Sequence, residues 1–196
     1  MDEITLWLDP VCPYSWTTAR WLRSVADKEG FVPRWELMSL AVLNEGRELP
    51  PPQAERMRAS RSVGRLFASL ARTLDDDGMW SAYAAFGEAF FERGAPFDDR
   101  LVGEVLRACA ATGSHEQSPS DETLDAAVRA SHERGQRALG DSGGSPIVSI
   151  GGTAFFGPVL TSLPGQAAGP ELFLALKALA AIPEFSQLQR PRPVRH

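Results

Sequence analysis

The chain has 196 residues, 43% hydrophobic and 23% charged, values that exclude wholesale disorder and fit one domain with a full core or a small domain carrying a large insertion. A formal net charge of -5 argues against a nucleic-acid or anionic-membrane partner, because phosphate binding needs a basic surface. No apolar run approaches the ~20 residues that span a bilayer, and Met1-Asp2-Glu3 lacks the basic start and apolar stretch of a signal peptide, so the expectation is a cytoplasmic protein.

In chain order, Ile4, Leu6 and Leu8 alternate with Thr5 and Trp7, the period-two pattern of a strand over residues 3–8. It ends at Asp9-Pro10. Cys12-Pro13-Tyr14-Ser15 then opens helical spacing through Trp16, Ala19, Leu22 and Ala26; Pro13 suits a first helical turn and Gly30 a helix stop. Residues 34–40 read as a second strand with Trp35, Leu37 and Ser39 on one face. The three prolines at 50–52 cannot continue it. They lead into an insertion over residues 51–139, with no convincing strand.

Within the insertion, apolar residues recur at helical spacing in sets around Met57–Leu74, Trp80–Phe91, Leu101–Cys109 and Leu124–Ser131, which predicts a bundle of about four helices. Ser118-Pro119 reads as the cap and first-turn proline of the last one. Asp75-Asp76-Asp77-Gly78 lacks the remaining ligand positions of a calcium loop and reads as a solvated turn. The glycine-rich run 140–144 precedes a strand, not a helix, and so is no phosphate loop. After Ser145-Pro146, residues 147–150 and 153–156 read as a hairpin turned by Gly151-Gly152, and Gly169-Pro170 starts a last helix that stops before Pro183. The basic tail from Arg190 to His196 carries no assigned function. The order is β-α-β, helical insertion, β-β-α.

The cysteines are Cys12 and Cys109, which are not expected to form a disulfide in a reducing compartment. With His115, His132 and His196 they give no metal-ligand spacing, so no metal is expected. Cys12 follows a strand and opens a helix, where unpaired backbone N–H groups stabilise a thiolate. Helix-start cysteines reach pKa values of ~3.5–7.5 instead of ~8.5, so the expectation is a depressed pKa and a reactive nucleophile. The competing reading is a small buried hydrophobe. Ser15 is placed to donate to the thiolate, or is an ordinary first-turn serine. His132 is a weak candidate for proton donation or cofactor contact; Tyr14, Trp16 and Trp21 are candidates for stacking on an aromatic substrate, against the alternative of core packing. Cys109 shares a stripe with Leu101, Val105 and Leu106 and reads as core.

These residues resemble the thioredoxin superfamily, specifically its DsbA branch: strand, Cys12-Pro13-Tyr14-Ser15 at a helix start, helical insertion, then Ser145-Pro146 before a hairpin and last helix. The resemblance implies an α/β thioredoxin fold with domains at 1–50 plus 140–196 and at 51–139. It also implies a cis Pro146 facing Cys12, with adjoining backbone that binds a thiol peptide or cofactor. Met38-Ser39-Leu40-Ala41-Val42-Leu43-Asn44-Glu45, Ala154-Phe155-Phe156-Gly157-Pro158-Val159-Leu160, Ser131-His132, and Trp16 with Trp21 resemble the mycothiol-dependent nitroreductase subfamily. Only two basic residues are lysines, Lys28 and Lys177, and such arginine-heavy usage fits mycothiol-using bacteria.

That resemblance implies a thiol oxidoreductase with mycothiol or another low-molecular-weight thiol as co-substrate, reducing disulfides or nitroaromatic compounds. A homodimer stays open. The subfamily pattern has a second cysteine where this chain has Ser15, which argues against an internal dithiol cycle and leaves open a monothiol cycle on Cys12, with an external thiol resolving the mixed disulfide. Pro13-Tyr14-Ser15 also resembles kappa-class glutathione transferases and hydroxychromene-carboxylate isomerases, in which a serine stabilises a bound cofactor thiolate; Cys12 sits at that serine's position, which argues against simple transferase chemistry but not against cofactor binding. A redox-inactive thioredoxin-fold binding protein is the third reading.

Overall fold

The computed structural model describes residues 3–111 and 113–191. Strand β1 (Ile4–Leu8) is central and buried along its whole length, which is why hydrophobic residues occupy both of its faces. Its Leu6 and Leu8 enter the main core, whereas Trp7 packs with Met38 and Ile147 on the other face. Strand β2 (Arg34–Leu37) runs parallel to β1, pairing Thr5 with Arg34 and Leu8 with Leu37. A parallel pair needs a crossover, and helix α1 (Pro13–Glu29) supplies it, ending at the left-handed Gly30 with φ 74°.

On the other side of β1 lies the antiparallel hairpin β3 (Ile147–Ile150) and β4 (Thr153–Phe156), turned by Gly151 and Gly152 at φ 58° and 89°. Two positive φ values in a two-residue turn match the twist of the flanking strands. The sheet order β2-β1-β3-β4 is the thioredoxin arrangement. The last helix, α7 (Ala168–Ala180), packs on α1: the Trp21 indole nitrogen donates to the Gly169 carbonyl at 3.0 Å, and Phe173 lies against Trp21 and Phe31.

Strand β2 stops at Leu37, not at residue 40. Ser39 accepts from the Val42 N–H at 3.2 Å and caps a short helix, α2 (Leu40–Leu43). The prolines then begin α3 (Pro51–Leu70), where their missing N–H groups cost nothing. Asp75 caps α4 (Asp76–Gly87), which widens into a π-helical turn over Glu88–Glu92. Asp98 caps α5 (Asp99–Ala108), and α6 (Asp125–Leu139) returns to the sheet. Ser118-Pro119 does not open α6: it forms a separate 3-10 turn over Ser118–Ser120, because Asp121 then caps a further turn, Glu122–Leu124, before α6 begins.

The helices between β2 and β3 also seal the sheet edge. The outward N–H groups of Trp35, Leu37 and Ser39 donate to Asp76 Oδ1 at 3.1 Å, Ser131 Oγ at 3.1 Å and His132 Nδ1 at 3.3 Å. An exposed edge would present those donors to another chain, and here side chains of α4 and α6 consume them in turn.

Candidate functional site around Cys12

Cys12 meets Ser145 because β1 and β3 are antiparallel neighbours, with Trp7 opposite Ile147; the end of β1 therefore lies beside the start of β3. The Cys12 N–H closes a turn onto the Asp9 carbonyl at 3.0 Å, and Cys12 takes the N-cap position of α1 with no capping bond from its side chain. Its thiol donates to the Ser145 carbonyl at 3.5 Å, and the Ser145–Pro146 peptide is cis. The Ser15 and Ser145 hydroxyls lie 2.6 Å apart, and Ser145 Oγ also accepts the Asp9 N–H at 2.7 Å.

The site differs from the expected one in its electrostatics. Cys12 is only 5% exposed. Burial pushes its thiol above the ordinary value, outweighing the Ser15 hydroxyl and the Ser15 and Tyr14 backbone N–H groups, which favour the thiolate; the neighbouring Asp9 charge adds to the rise. The depressed pKa expected from the helix start alone is therefore corrected. The amides act as anticipated, but taking the sulfur out of water costs more.

Asp9, which reads in sequence as an ordinary turn residue, is the hub of the site. It is 0% exposed. Its carboxylate accepts from the Val11 N–H at 2.9 Å, the Leu40 N–H at 2.6 Å and the Ser60 hydroxyl at 2.5 Å. One side chain thus ties the nucleophile turn to α2 and α3. Burial nonetheless raises its pKa, while the Ser60 and backbone bonds and the Arg56 charge pull the other way. An aspartate ending an apolar strand beside buried serines was the only sequence signal for this hub, and turn chemistry explains the same residues equally well.

The other anticipated residues separate into two groups. Pro13 and Tyr14 are half-buried at the helix start, and Trp16 lies one turn beyond Cys12 on the same face. Trp16 is 5% exposed, however, and packs among Trp80, Tyr83 and Phe91 with its indole N–H on Glu92, so it forms the floor under the nucleophile and not an open stacking surface. Trp21 is not brought to Cys12: nine positions along a helix is about 900° at roughly 100° per residue, which places it on the opposite face, under α7.

His132 accepts the Ser39 N–H and is buried, and burial depresses its pKa; it braces the β2 edge and reaches Asp9 only through the weak Ser39–Ser60 hydroxyl contact at 3.5 Å. Cys109 donates to the Val105 and Leu106 carbonyls at the end of α5, as a packing residue does. His196 lies outside the described residues. A cavity of about 790 Å³ lined by Ile4, Phe31, Trp35, Leu74 and Met79 sits at the opposite end of the sheet, away from the chemistry. Among the described residues, no group of three or more His, Cys, Asp and Glu is placed to hold a metal, and no helix is long and apolar enough to cross a membrane.

Residues 11–190 match the family model described as Rv2466c-like, mycothiol-dependent nitroreductase Rv2466c. The uncharacterized protein Rv2286c of Mycobacterium tuberculosis is 29% identical over 198 aligned residues, covering 98% of this chain and 83% of its own length. Among solved structures, a 2-hydroxychromene-2-carboxylate isomerase superposes with TM-score 0.62 at 14% identity, covering 90% of this chain and 93% of that one. The thiol-disulfide exchange protein alpha-DsbA2 from Wolbachia pipientis gives 0.54 at 14% identity, covering 91% and 82%. The disulfide oxidoreductase DsbA from Proteus mirabilis gives 0.52 at 10%, covering 91% and 87%. At these identities the superpositions show the fold: thioredoxin with a helical insertion.

Proposed function

This chain belongs to the Rv2466c-like family of mycothiol-dependent nitroreductases, and from that premise we propose that it is a cytosolic monothiol oxidoreductase working through Cys12 with mycothiol or a related low-molecular-weight thiol. Family and fold together support thiol-dependent redox chemistry. The observation that carries the finer reading is the meeting of Cys12, Ser15 and the cis Ser145–Pro146 peptide in one buried cluster.

In this reading the Cys12 thiolate attacks one sulfur of a disulfide-bonded small thiol. A bond forms between Cys12 and that sulfur, and the other sulfur leaves as thiolate with the electron pair. A second small thiol, deprotonated, then attacks the captured sulfur and returns Cys12 as thiolate. Ser15 has no part in the electron transfer, because a hydroxyl cannot resolve a mixed disulfide. The helix-start amides and the Ser15 hydroxyl favour the Cys12 sulfur as an anion, against the larger cost of its burial. Pro13, Tyr14 and the Ser145–Pro146 backbone would hold the rest of the small thiol, with the helical insertion of 51–139 covering a thioredoxin-fold domain of 1–50 and 140–196. Disulfides and nitroaromatic compounds are the substrates the family suggests.

The raised thiol pKa and near-complete burial of Cys12 favour a second reading, in which Ser15 and Tyr14 position a cofactor sulfur non-covalently for transferase or isomerase chemistry. Mass spectrometry after incubation with an oxidised small thiol decides between them. We expect an adduct on Cys12, absent in Cys12→Ser together with thiol-dependent turnover. Reversible binding without an adduct would establish the second reading, and neither binding nor adduct would leave a redox-inactive binding protein.

A further inference from the structure

We propose that Phe156 is a specificity-determining residue, an aromatic shelf at the edge of the Cys12 site that takes the ring of an electron-poor aromatic substrate. The shelf rests on the reading of Cys12 as the centre of the site and adds to it a means of selecting the substrate class.

Alternation along β4 sends its two phenylalanines to opposite faces of the sheet. Phe155 packs on the main core, with its ring 5.9 Å from that of Phe185. Phe156 shares a face with Ala154, which packs on Trp7, Met38 and Ile147, and it pairs with Ile147 across the hairpin. Unlike that cluster, Phe156 is 45% exposed, and it is the only aromatic among the exposed large hydrophobics of the described residues. A single exposed apolar side chain needs no explanation by itself. What sets this one apart is its place.

The residue after it, Gly157, donates its N–H to the Pro146 carbonyl at 2.8 Å. A Cβ on Gly144 would lie 3.2 Å from Phe156 Cε2 and 3.7 Å from Cζ, so the ring rests on bare glycine backbone. Gly144 directly precedes Ser145, whose carbonyl accepts the Cys12 thiol at 3.5 Å. Phe156 thus borders the Ser145–Pro146 peptide twice, through the backbone bond of its successor and through its ring on the residue before Ser145. Trp16 and Trp21 are both packed away, which leaves Phe156 as the open ring at this end of the sheet. The class of partner follows from charge distribution. A phenyl ring carries negative charge over its face. Nitro groups withdraw electrons from the ring that bears them, so a nitroaromatic ring offset over Phe156 meets complementary charge, whereas a saturated ring gains contact area alone.

The test uses 4-nitrobenzyl alcohol as the probe, with benzyl alcohol and cyclohexylmethanol as its electron-richer and saturated counterparts, in a Cys109→Ala background. Binding is read by saturation-transfer NMR, and adjacency to the sulfur by the rate at which iodoacetamide alkylates Cys12 with and without the probe. The nitro compound should bind the parent more tightly than either counterpart and should slow alkylation. Phe156→Ala and Phe156→Leu should each weaken its binding by about 3- to 10-fold, the range for an aromatic pair, and lose the protection, while Phe156→Trp should keep both. The leucine variant keeps the apolar bulk and carries the test if the alanine variant does not fold. No binding to the parent, parent-like binding by Phe156→Leu, or binding that leaves Cys12 unprotected would overturn the proposal. Intact stacking without a small-thiol adduct on Cys12 would count against the monothiol chemistry alone, and an adduct without stacking against the shelf alone.

Discussion

The packing under Cys12 can be tested at a glycine. Gly87 ends α4, and a Cβ built there would lie 2.4 Å from Trp16 Cε3 and Cζ3 and 2.7 Å from Cδ2. Carbon atoms are at optimal contact at about 3.5–4.0 Å, so the indole would have to retreat by more than about 1 Å. It has little room to do so. Trp16 is held by Tyr83 edge-on at 5.5 Å and by Phe91 and Trp80 stacked at 6.2 and 6.5 Å, while its N–H is on Glu92.

Gly→Ala in an open helix stabilises by about 1 kcal/mol, and overpacking a core costs about 1–3 kcal/mol. A large, fenced ring places this site at the upper end, so Gly87→Ala should be net destabilising by about 2 kcal/mol, or roughly 4–8 °C in Tm for a chain of this size. The assay is urea and thermal unfolding beside a control, Gly103→Ala in α5, where the added carbon meets only the flexible end of Arg107 at 3.3 Å. The control should be neutral to about 1 kcal/mol more stable. A Gly87→Ala protein as stable as the control would refute the reasoning, because Trp16 would then not be a fixed floor.

Two further outcomes follow from titrating groups. Asp9 has a higher pKa folded than unfolded, so its protonation favours folding at low pH, and that contribution is lost as pH rises from about 4 through the folded value. The Tm of Asp9→Asn relative to the parent should therefore rise over that window, and a difference independent of pH would show that the carboxyl does not titrate in the folded protein. His132 has a lower pKa folded than unfolded, because burial favours the neutral ring that accepts the Ser39 N–H. Its stabilisation is present above the unfolded value near 6.5 and is lost as pH falls from there through the lower folded value, and the ring proton signals should titrate below 6.5 by NMR; titration at or above 6.5 would place the ring in solvent.

What the sequence revealed and what it hid divide along the range of the forces involved. The pattern Ile4-Leu6-Leu8, the proline and glycine that bracket α1, and the Gly151-Gly152 turn are local, and each appears where the chain placed it. Ser39 misled because Met38, on the other face, is buried too, so alternation gave no stop signal; the stop comes from the Asp9 carboxylate capturing the Leu40 N–H from 31 positions away. Trp21 is suggested by its nearness to the Cys12 motif and His132 by the Ser131-His132 resemblance, whereas helix geometry and the β2 edge assign them to packing. For Cys12 the helix amides were legible and the burial was not, since desolvation is set by everything that packs around the sulfur.

That balance bears on the monothiol chemistry proposed above. A higher thiol pKa lowers the thiolate fraction at neutral pH but makes each thiolate intrinsically more nucleophilic. In the return step Cys12 is the leaving group, and a less acidic thiol leaves more slowly. A cysteine at position 15 would offset this by attacking intramolecularly, at high effective concentration. With Ser15 there, the return step depends on an external thiol colliding with a sulfur that is nearly enclosed. In that proposed cycle enclosure slows both steps, and the raised thiol pKa slows the departure of Cys12 in particular, so donors to the departing sulfur bear directly on turnover. The Ser15 hydroxyl, which favours the Cys12 thiolate, is the group that the proposed cycle leaves at the position from which a resolving thiol would act.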